Sequence, residues 1–203
     1  MKVFVLFIRM KELRRYIRLI LEASQIEKLR VFDFDDTLAV SDGEVLVQHA
    51  DGASTLLTPA EFNSYKPDPG DEFDFSQFED VRNPRSVVEV TQILVKILNA
   101  ELKNPGNRKI AILTSRANKA NASIRQFLDE LLGGSSNIEI VTLGSSNPAD
   151  KRDWIDQQIQ RHGFQDVRFF DDSEGNVAAV LELKSKYPDI KIRAQNIKYA
   201  ESY

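Results

Sequence analysis

Hydrophobic and polar positions along the chain alternate between two periods. Short runs dominated by apolar residues, at 29–34, 109–113, 138–143, 167–170 and 190–192, are bounded by polar or turn residues, and they read as buried strands. Between them the apolar positions recur at helical spacing. Val87, Val88, Ile93, Leu94, Ile97 and Leu98 follow Asn83-Pro84, which predicts a helix with Asn83 as its cap and Pro84 in its first turn. Ile124, Phe127, Leu128 and Leu131 predict a helix over 117–132, stopped by Gly133-Gly134. Trp154, Ile155 and Ile159 predict a third, opened by Asn147-Pro148 and closed at His162-Gly163, and residues 174–186 a fourth. Strands alternating with helices of this length pair in parallel through right-handed crossovers. The pattern therefore predicts an α/β, doubly wound parallel sheet with helices on both faces.

Two stretches depart from this alternation. Residues 40–82 contain apolar runs at 45–49 and 53–57 around Asp51-Gly52, a hairpin-turn signal. Thr58-Pro59-Ala60-Glu61 has the form of a capping box, and residues 66–80 read as an irregular loop. A small β-hairpin flap is thus expected after the first strand of an otherwise Rossmann-like body. At the N-terminus, the apolar run 3–8 is short for a secretory signal and lacks a small-residue cleavage pattern. From Met10 onward, Met10, Leu13, Ile17, Ile20 and Leu21 share a helical stripe, with Arg14, Arg15 and Arg18 away from it. Residues 1–29 read as a basic amphipathic leader and 30–203 as the body. Such a helix packs on the body or lies on a membrane surface.

Composition narrows the chemistry. The 203 residues include no cysteine, which excludes disulfides, thiolate zinc sites and cysteine nucleophiles. The net charge of −4 conceals a segregation. Residues 1–30 hold eight basic groups against three acidic ones, and residues 41–80 hold ten acidic groups against Lys66 alone. No apolar run approaches the roughly 18 residues of a membrane-spanning helix, so no transmembrane segment is expected.

Four polar features fall at or just beyond the predicted C-terminal ends of strands, where open α/β sheets bind ligands. They are Asp33-Phe34-Asp35-Asp36-Thr37-Leu38, Thr114-Ser115-Arg116, Lys151, and Phe169-Phe170-Asp171-Asp172 with Asn176 following. Acids crowded at one sheet edge repel one another unless a cation joins them. Oxygen donors without thiols favour a hard ion, Mg²⁺ in particular. Mg²⁺ takes a few carboxylates together with a substrate phosphate, whose oxygens Thr114, Ser115 and Lys151 are placed to hold. An aspartate can attack phosphorus, and a second carboxyl two residues away can protonate the leaving oxygen and then activate water.

These four features, in this order over residues 30–203, resemble the motifs of the haloacid dehalogenase-like hydrolase superfamily. The resemblance implies Asp33 as nucleophile and Asp35 as general acid/base. It implies Mg²⁺ bound by Asp33, the backbone carbonyl of Asp35, and Asp172. Thr37, Asp171 and Asn176 would support the site, Asn176 by orienting a metal-bound water. Asp36 and Asp171 stand where many members carry glycine. A second Asp at position 35 marks the phosphatases and phosphotransferases of the superfamily. The segment Ile20-Leu21-Glu22, followed by Ala23, resembles the cleavage site of removable capsid-targeting leaders in tailed-phage head proteins. That likeness implies cleavage after Glu22, or a natural start at Met10, with capsid association through residues 10–22.

The expected activity is Mg²⁺-dependent phosphomonoester hydrolysis through an aspartyl-phosphate. The expected location is the host cytoplasm or a phage head. The insert of about 43 residues is too short for a full cap domain of the superfamily, so the substrate is a nucleotide, a polynucleotide end or a sugar phosphate. The acidic insert argues against a phosphate backbone. Phe73, Phe75 and Phe78 either stack a base or anchor the loop. A phosphotransferase and a phage structural protein with a vestigial site are the alternatives. Arg161-His162-Gly163 resembles a histidine-phosphatase tripeptide, yet it closes a helix, so His162 reads as a helix C-terminal residue.

Overall fold

The computed structural model describes residues 27–198 apart from Ser135. The leader, its stripe over 10–22 and the cleavage site after Glu22 lie outside the described residues. In chain order the strands are β1 (Lys28–Phe32), β2 (Ala39–Val40), β3 (Val45–Gln48), β4 (Ser54–Leu57), β5 (Glu72–Asp74), β6 (Arg85–Ser86), β7 (Arg108–Thr114), β8 (Glu139–Thr142), β9 (Asp166–Asp171) and β10 (Lys191–Asn196). The helices are α1 (Pro59–Ser64), α2 (Val88–Lys103), α3 (Asn121–Leu132), α4 (Pro148–His162), α5 (Glu174–Leu181) and α6 (Leu183–Lys186). The first strand takes in Lys28, one residue before the run that begins at Leu29, and these two pair with Arg108 and Lys109.

Five strands form an all-parallel sheet in the order β10-β9-β1-β7-β8. β1 is central, and its period-two alternation divides the core into two layers. Leu29 and Val31 join one apolar cluster with Ile155 and Ile159 of α4, Val180 of α5 and Leu183 of α6. Phe32 joins the other, with Leu94 of α2 and Ile124, Phe127 and Leu128 of α3. Phe32 stacks on Phe170 of β9 with ring centroids 4.7 Å apart, and Phe34 meets Phe127 edge-on at 5.6 Å. The clusters explain why β1, β7 and β9 are rich in apolar residues at successive positions: strands covered on both faces do not follow a strict apolar–polar alternation.

Four helix starts and stops follow their sequence signals. Asn147 caps α4 by accepting the Ala149 N–H, with Pro148 in the first turn. Thr58 and Glu61 cap α1 reciprocally. Gly133 and Gly163 end α3 and α4 with φ of 73° and 67°, the left-handed region that glycine enters without steric cost.

Elsewhere long-range pairing overrides local signals. The helix expected from Asn83-Pro84 begins instead at Val88, because Arg85 and Ser86 pair as β6 with β2. Asn83 takes φ 45° and its side-chain amide donates to Asp42. The stretch expected as an irregular loop contains β5, which pairs antiparallel with β3, and a short 3₁₀ turn at Ser76–Glu79. β3 also pairs antiparallel with β4 across Asp51-Gly52, giving a three-stranded sheet distinct from the main one. The β2–β6 ribbon closes the neck of this insert. The helix expected over 174–186 is broken into α5 and α6 at Glu182.

One buried charge in the central strand had no sequence signal. Arg30 is buried in β1, and its guanidinium donates to the backbone oxygen and both carboxylate oxygens of Asp166, the carboxylate contacts lying at 3.4 and 3.0 Å. Arg193 adds a second contact at 2.8 Å. Burial pushes the Asp166 carboxyl up, but the bonds from Arg193 and Arg30 outweigh it and hold the group below its usual range. A depressed carboxyl stabilises the fold above its unfolded pKa and loses that contribution as pH falls through its folded pKa. Asp166→Asn is therefore expected to lower stability in urea at pH 7, with the deficit narrowing toward pH 3 as the wild type loses the same contact. A deficit independent of pH would remove the ion-pair account.

Candidate functional site

The polar features of the sequence meet at the C-terminal edge of the parallel sheet. β1 ends at Phe32, and the next residue, Asp33, extends the ladder by donating its N–H to the Phe170 carbonyl at 2.8 Å. The chain then turns sharply. The Phe34 carbonyl accepts from the amides of both Leu38 and Ala39, and the Asp36 amide donates to the Ala39 carbonyl. Asp36 takes φ 53°, a conformation glycine adopts freely and Asp tolerates better than most residues. Next to β1, β9 delivers Asp171 as its last residue and Asp172 just beyond it. The Ser173 hydroxyl then caps α5 by accepting the Asn176 N–H. Lys151 comes from the first turn of α4.

Asp33, Asp171 and Asp172 each offer a carboxylate oxygen, and these oxygens lie within 4.8 Å of one another. The Lys151 ammonium sits between two of these groups, 2.7 Å from Asp33 and 2.8 Å from Asp171, and its side chain is only 2% exposed. Asp171 is fully buried and accepts further bonds from the Asn176 amide at 3.0 and 3.1 Å and from the Ser173 N–H at 2.9 Å. Asp171 is thus bonded within the site. Thr37 donates to Asp172 at 3.3 Å, and the Asn196 amide holds the Asp172 carbonyl at 2.6 Å.

The electrostatics follow from burial. Burial raises the Asp33 carboxyl well above the usual range, Lys151 opposes this, and Asp171, Asp172 and Asp35 add to it. Burial, together with Asp171 and Asp36, pushes the Asp172 carboxyl up to about 7. Burial disfavours the Lys151 ammonium, but Asp33 and Asp171 outweigh it and raise its pKa. One lysine therefore shares a small volume with three acids, an excess of negative charge that a hard cation would relieve. The donor set, oxygen only and with Asp172 partly exposed toward a cavity, fits such an ion. Its carboxylates are Asp33, Asp171 and Asp172. The Asp35 carboxylate is elsewhere.

Asp35 is held by Arg116. The guanidinium contacts both Asp35 oxygens, through Nε at 3.2 and 2.9 Å and through one terminal nitrogen at 2.7 Å. The same group donates to the Ser41 hydroxyl at 2.8 Å and to the backbone oxygens of Phe78 and Asp80. Its central carbon lies over the rings of Phe78 and Phe34, 4.9 and 5.6 Å from their centroids. Arg116 thus ties the acid to both arms of the insert. Its role is absent from the motif reading, which used only Thr114 and Ser115 of that tripeptide. The available signal was an arginine two residues beyond a buried strand end.

A cavity of about 390 Å³ opens above these groups. Asp33, Asp35, Asp36, Lys151, Asp172 and Asn176 form its polar side together with Ser115. Thr114 is fully buried and does not line it; its hydroxyl accepts the Arg116 N–H at 3.2 Å. Phe75 and Phe78 of the insert line the cavity, whereas Phe73 packs edge-on against Phe62 and Tyr65 at 5.6 and 6.2 Å. Ser145, Ser146 and Phe62 also line it and were not singled out by sequence; Gly144-Ser-Ser at a strand end was the only hint. His162 closes α4 against Phe164, with centroids 5.4 Å apart, and takes no part in the cavity.

Among the described residues no helix is long and apolar enough to cross a membrane. No protein-family model, no curated protein and no solved structure matches the chain.

Proposed function

We propose that this chain is a Mg²⁺-dependent phosphomonoester hydrolase of the haloacid dehalogenase-like type, working through an aspartyl-phosphate on Asp33. The observation that carries the reading is the placement of Asp33. It stands at the C-terminal end of the central strand, beside Lys151 and the carboxylates of Asp171 and Asp172, at the floor of a cavity. In a sheet wound outward from β1 to β7 and β8 on one side and to β9 and β10 on the other, this edge is the crevice where ligands bind. The insert would act as a flap over this edge, and Mg²⁺ would be the ion held there.

The residues would act as follows. An Asp33 oxygen attacks phosphorus, and the bond from phosphorus to the alcohol oxygen breaks. Asp35 gives its proton to the departing oxygen. To do so it gives up part of its contact with Arg116, which otherwise holds it over the cavity. Ionised Asp35 then takes a proton from a water molecule as that water's oxygen attacks the phosphorus. The acyl-phosphate bond breaks, releasing phosphate and the Asp33 carboxylate. Lys151, bonded to Asp33, and Ser115, on the cavity lining, would hold phosphoryl oxygens. Asp33, Asp171 and Asp172 would hold the metal ion, which when bound neutralises charge on the phosphoryl group.

The test is a phosphate-release screen, with Mg²⁺ and with chelator, over nucleotides, 3′- and 5′-phosphorylated oligonucleotides and sugar phosphates. Release that requires Mg²⁺ from at least one class is expected. Silence across the panel would remove the enzyme reading.

A further inference from the structure

We infer that the cavity takes a nucleoside monophosphate, with its phosphate at Asp33 and its base against Phe75. This rests on the phosphatase reading for the position of the phosphate end; the base position rests on the insert alone. Phe75 is 42% exposed although it is a large apolar residue, and it lies on the cavity wall. Its neighbour Phe62 meets it edge-on, with ring centroids 5.3 Å apart and planes at 85°. Phe62 therefore supports one side of Phe75 without stacking on it. Val45, Pro59 and Phe78 line the same cavity, so a ligand there meets apolar and aromatic side chains as well as carboxylates. A planar base covers such a surface; a bare sugar does not.

The polar and charged lining limits the rest of the ligand. Ser145 and Ser146 add neutral hydroxyls to the lining, suited to the hydroxyls of a ribose. Among the described residues the cationic side chains that line the cavity are Lys151 and Arg116, and both are engaged by aspartates. Ten acids against one lysine over residues 41–80 add further negative charge on the insert's side. A second phosphate would find repulsion in place of a partner, which disfavours a polynucleotide end or a bisphosphate. A volume of about 390 Å³ is that of a small-molecule site.

Binding to the Asp33→Asn variant in Mg²⁺, read by calorimetry, separates this inference from the catalytic reading. AMP is expected to bind about tenfold or more tightly than ribose 5-phosphate, the gain a stacked base supplies. Phe75→Ala in that background should remove the difference while leaving ribose 5-phosphate affinity unchanged, and Phe75→Tyr should keep it. In the otherwise wild-type enzyme, Phe75→Ala should raise KM for AMP with little change in kcat. Equal affinity for AMP and ribose 5-phosphate would overturn the inference, as would tighter binding of a phosphorylated oligonucleotide than of AMP. Turnover of both compounds without discrimination would overturn the base subsite and leave the phosphatase reading standing. Discrimination in binding with no turnover of any phosphate ester would do the reverse.

Discussion

Replacing Asp33 by Asn is expected to lower phosphate turnover by roughly a thousandfold or more while leaving the fold intact, since an amide oxygen cannot form and release the phosphoryl bond. The geometry argues that the fold survives. Asn is isosteric with Asp, and the Asp33 backbone N–H to the Phe170 carbonyl is untouched by the change. The substitution also removes one of three crowded carboxylates, and the Asp33 carboxyl is already raised by burial and by its acidic neighbours. Lys151 keeps Asp171 as a partner. The urea midpoint should therefore match or exceed that of the wild type when measured without metal. Loss of activity with an unfolded protein would not support the assignment; full activity in the folded variant would remove Asp33 as the nucleophile.

Lys151→Met carries the largest expected effect on stability. The ammonium is almost fully buried and compensates two buried carboxylates, Asp33 and Asp171. Removing one partner of such a cluster leaves charge uncompensated in the interior, a cost of about 3–5 kcal/mol. Methionine fills a similar volume, so the loss is one of charge more than of packing. If Asp33, Asp171 and Asp172 hold a divalent cation, Mg²⁺ should offset part of this loss, and the variant should gain more stability from Mg²⁺ than the wild type does. Urea denaturation of both proteins with Mg²⁺ and with chelator measures the difference. An equal Mg²⁺ effect in the two proteins would argue against the carboxylate cluster as the metal site.

Much of the parallel sheet was legible because its strands are buried on both faces and its helices carry strong end signals. Asn147-Pro148 and Gly163 bound α4 as written in the sequence, and that helix brings Lys151 to Asp33. The candidate acids were legible for the same reason: Asp33, Asp171 and Asp172 interrupt or follow apolar runs, where a polar residue needs a separate explanation. What was not legible depends on partners far apart in the chain. Asn83-Pro84 is a sound local helix start, yet β6 pairs with β2 instead and the helix begins later. β5 is three residues long and has no periodicity of its own; only β3 beside it makes it a strand. The Arg116–Asp35 pair joins residues 81 positions apart, and Arg30–Asp166 joins residues 136 apart. Neither pair is marked by spacing, since each arginine finds its carboxylate only after the sheet has formed.

Arg116 also gives the insert a part in the chemistry. One guanidinium joins Asp35, Ser41 and the backbone at Phe78 and Asp80, so the arms of the insert and the acid at position 35 share a single anchor.

The central claim is a phosphoryl group carried on Asp33. The most direct measurement is to quench the enzyme with acid during turnover in Mg²⁺, reduce any acyl-phosphate with borohydride, and locate the product by peptide mass spectrometry. The account predicts homoserine at position 33, absent without Mg²⁺ and absent in Asp33→Asn. Steady turnover with homoserine at another position, or with no trapped acyl-phosphate at all, would contradict it.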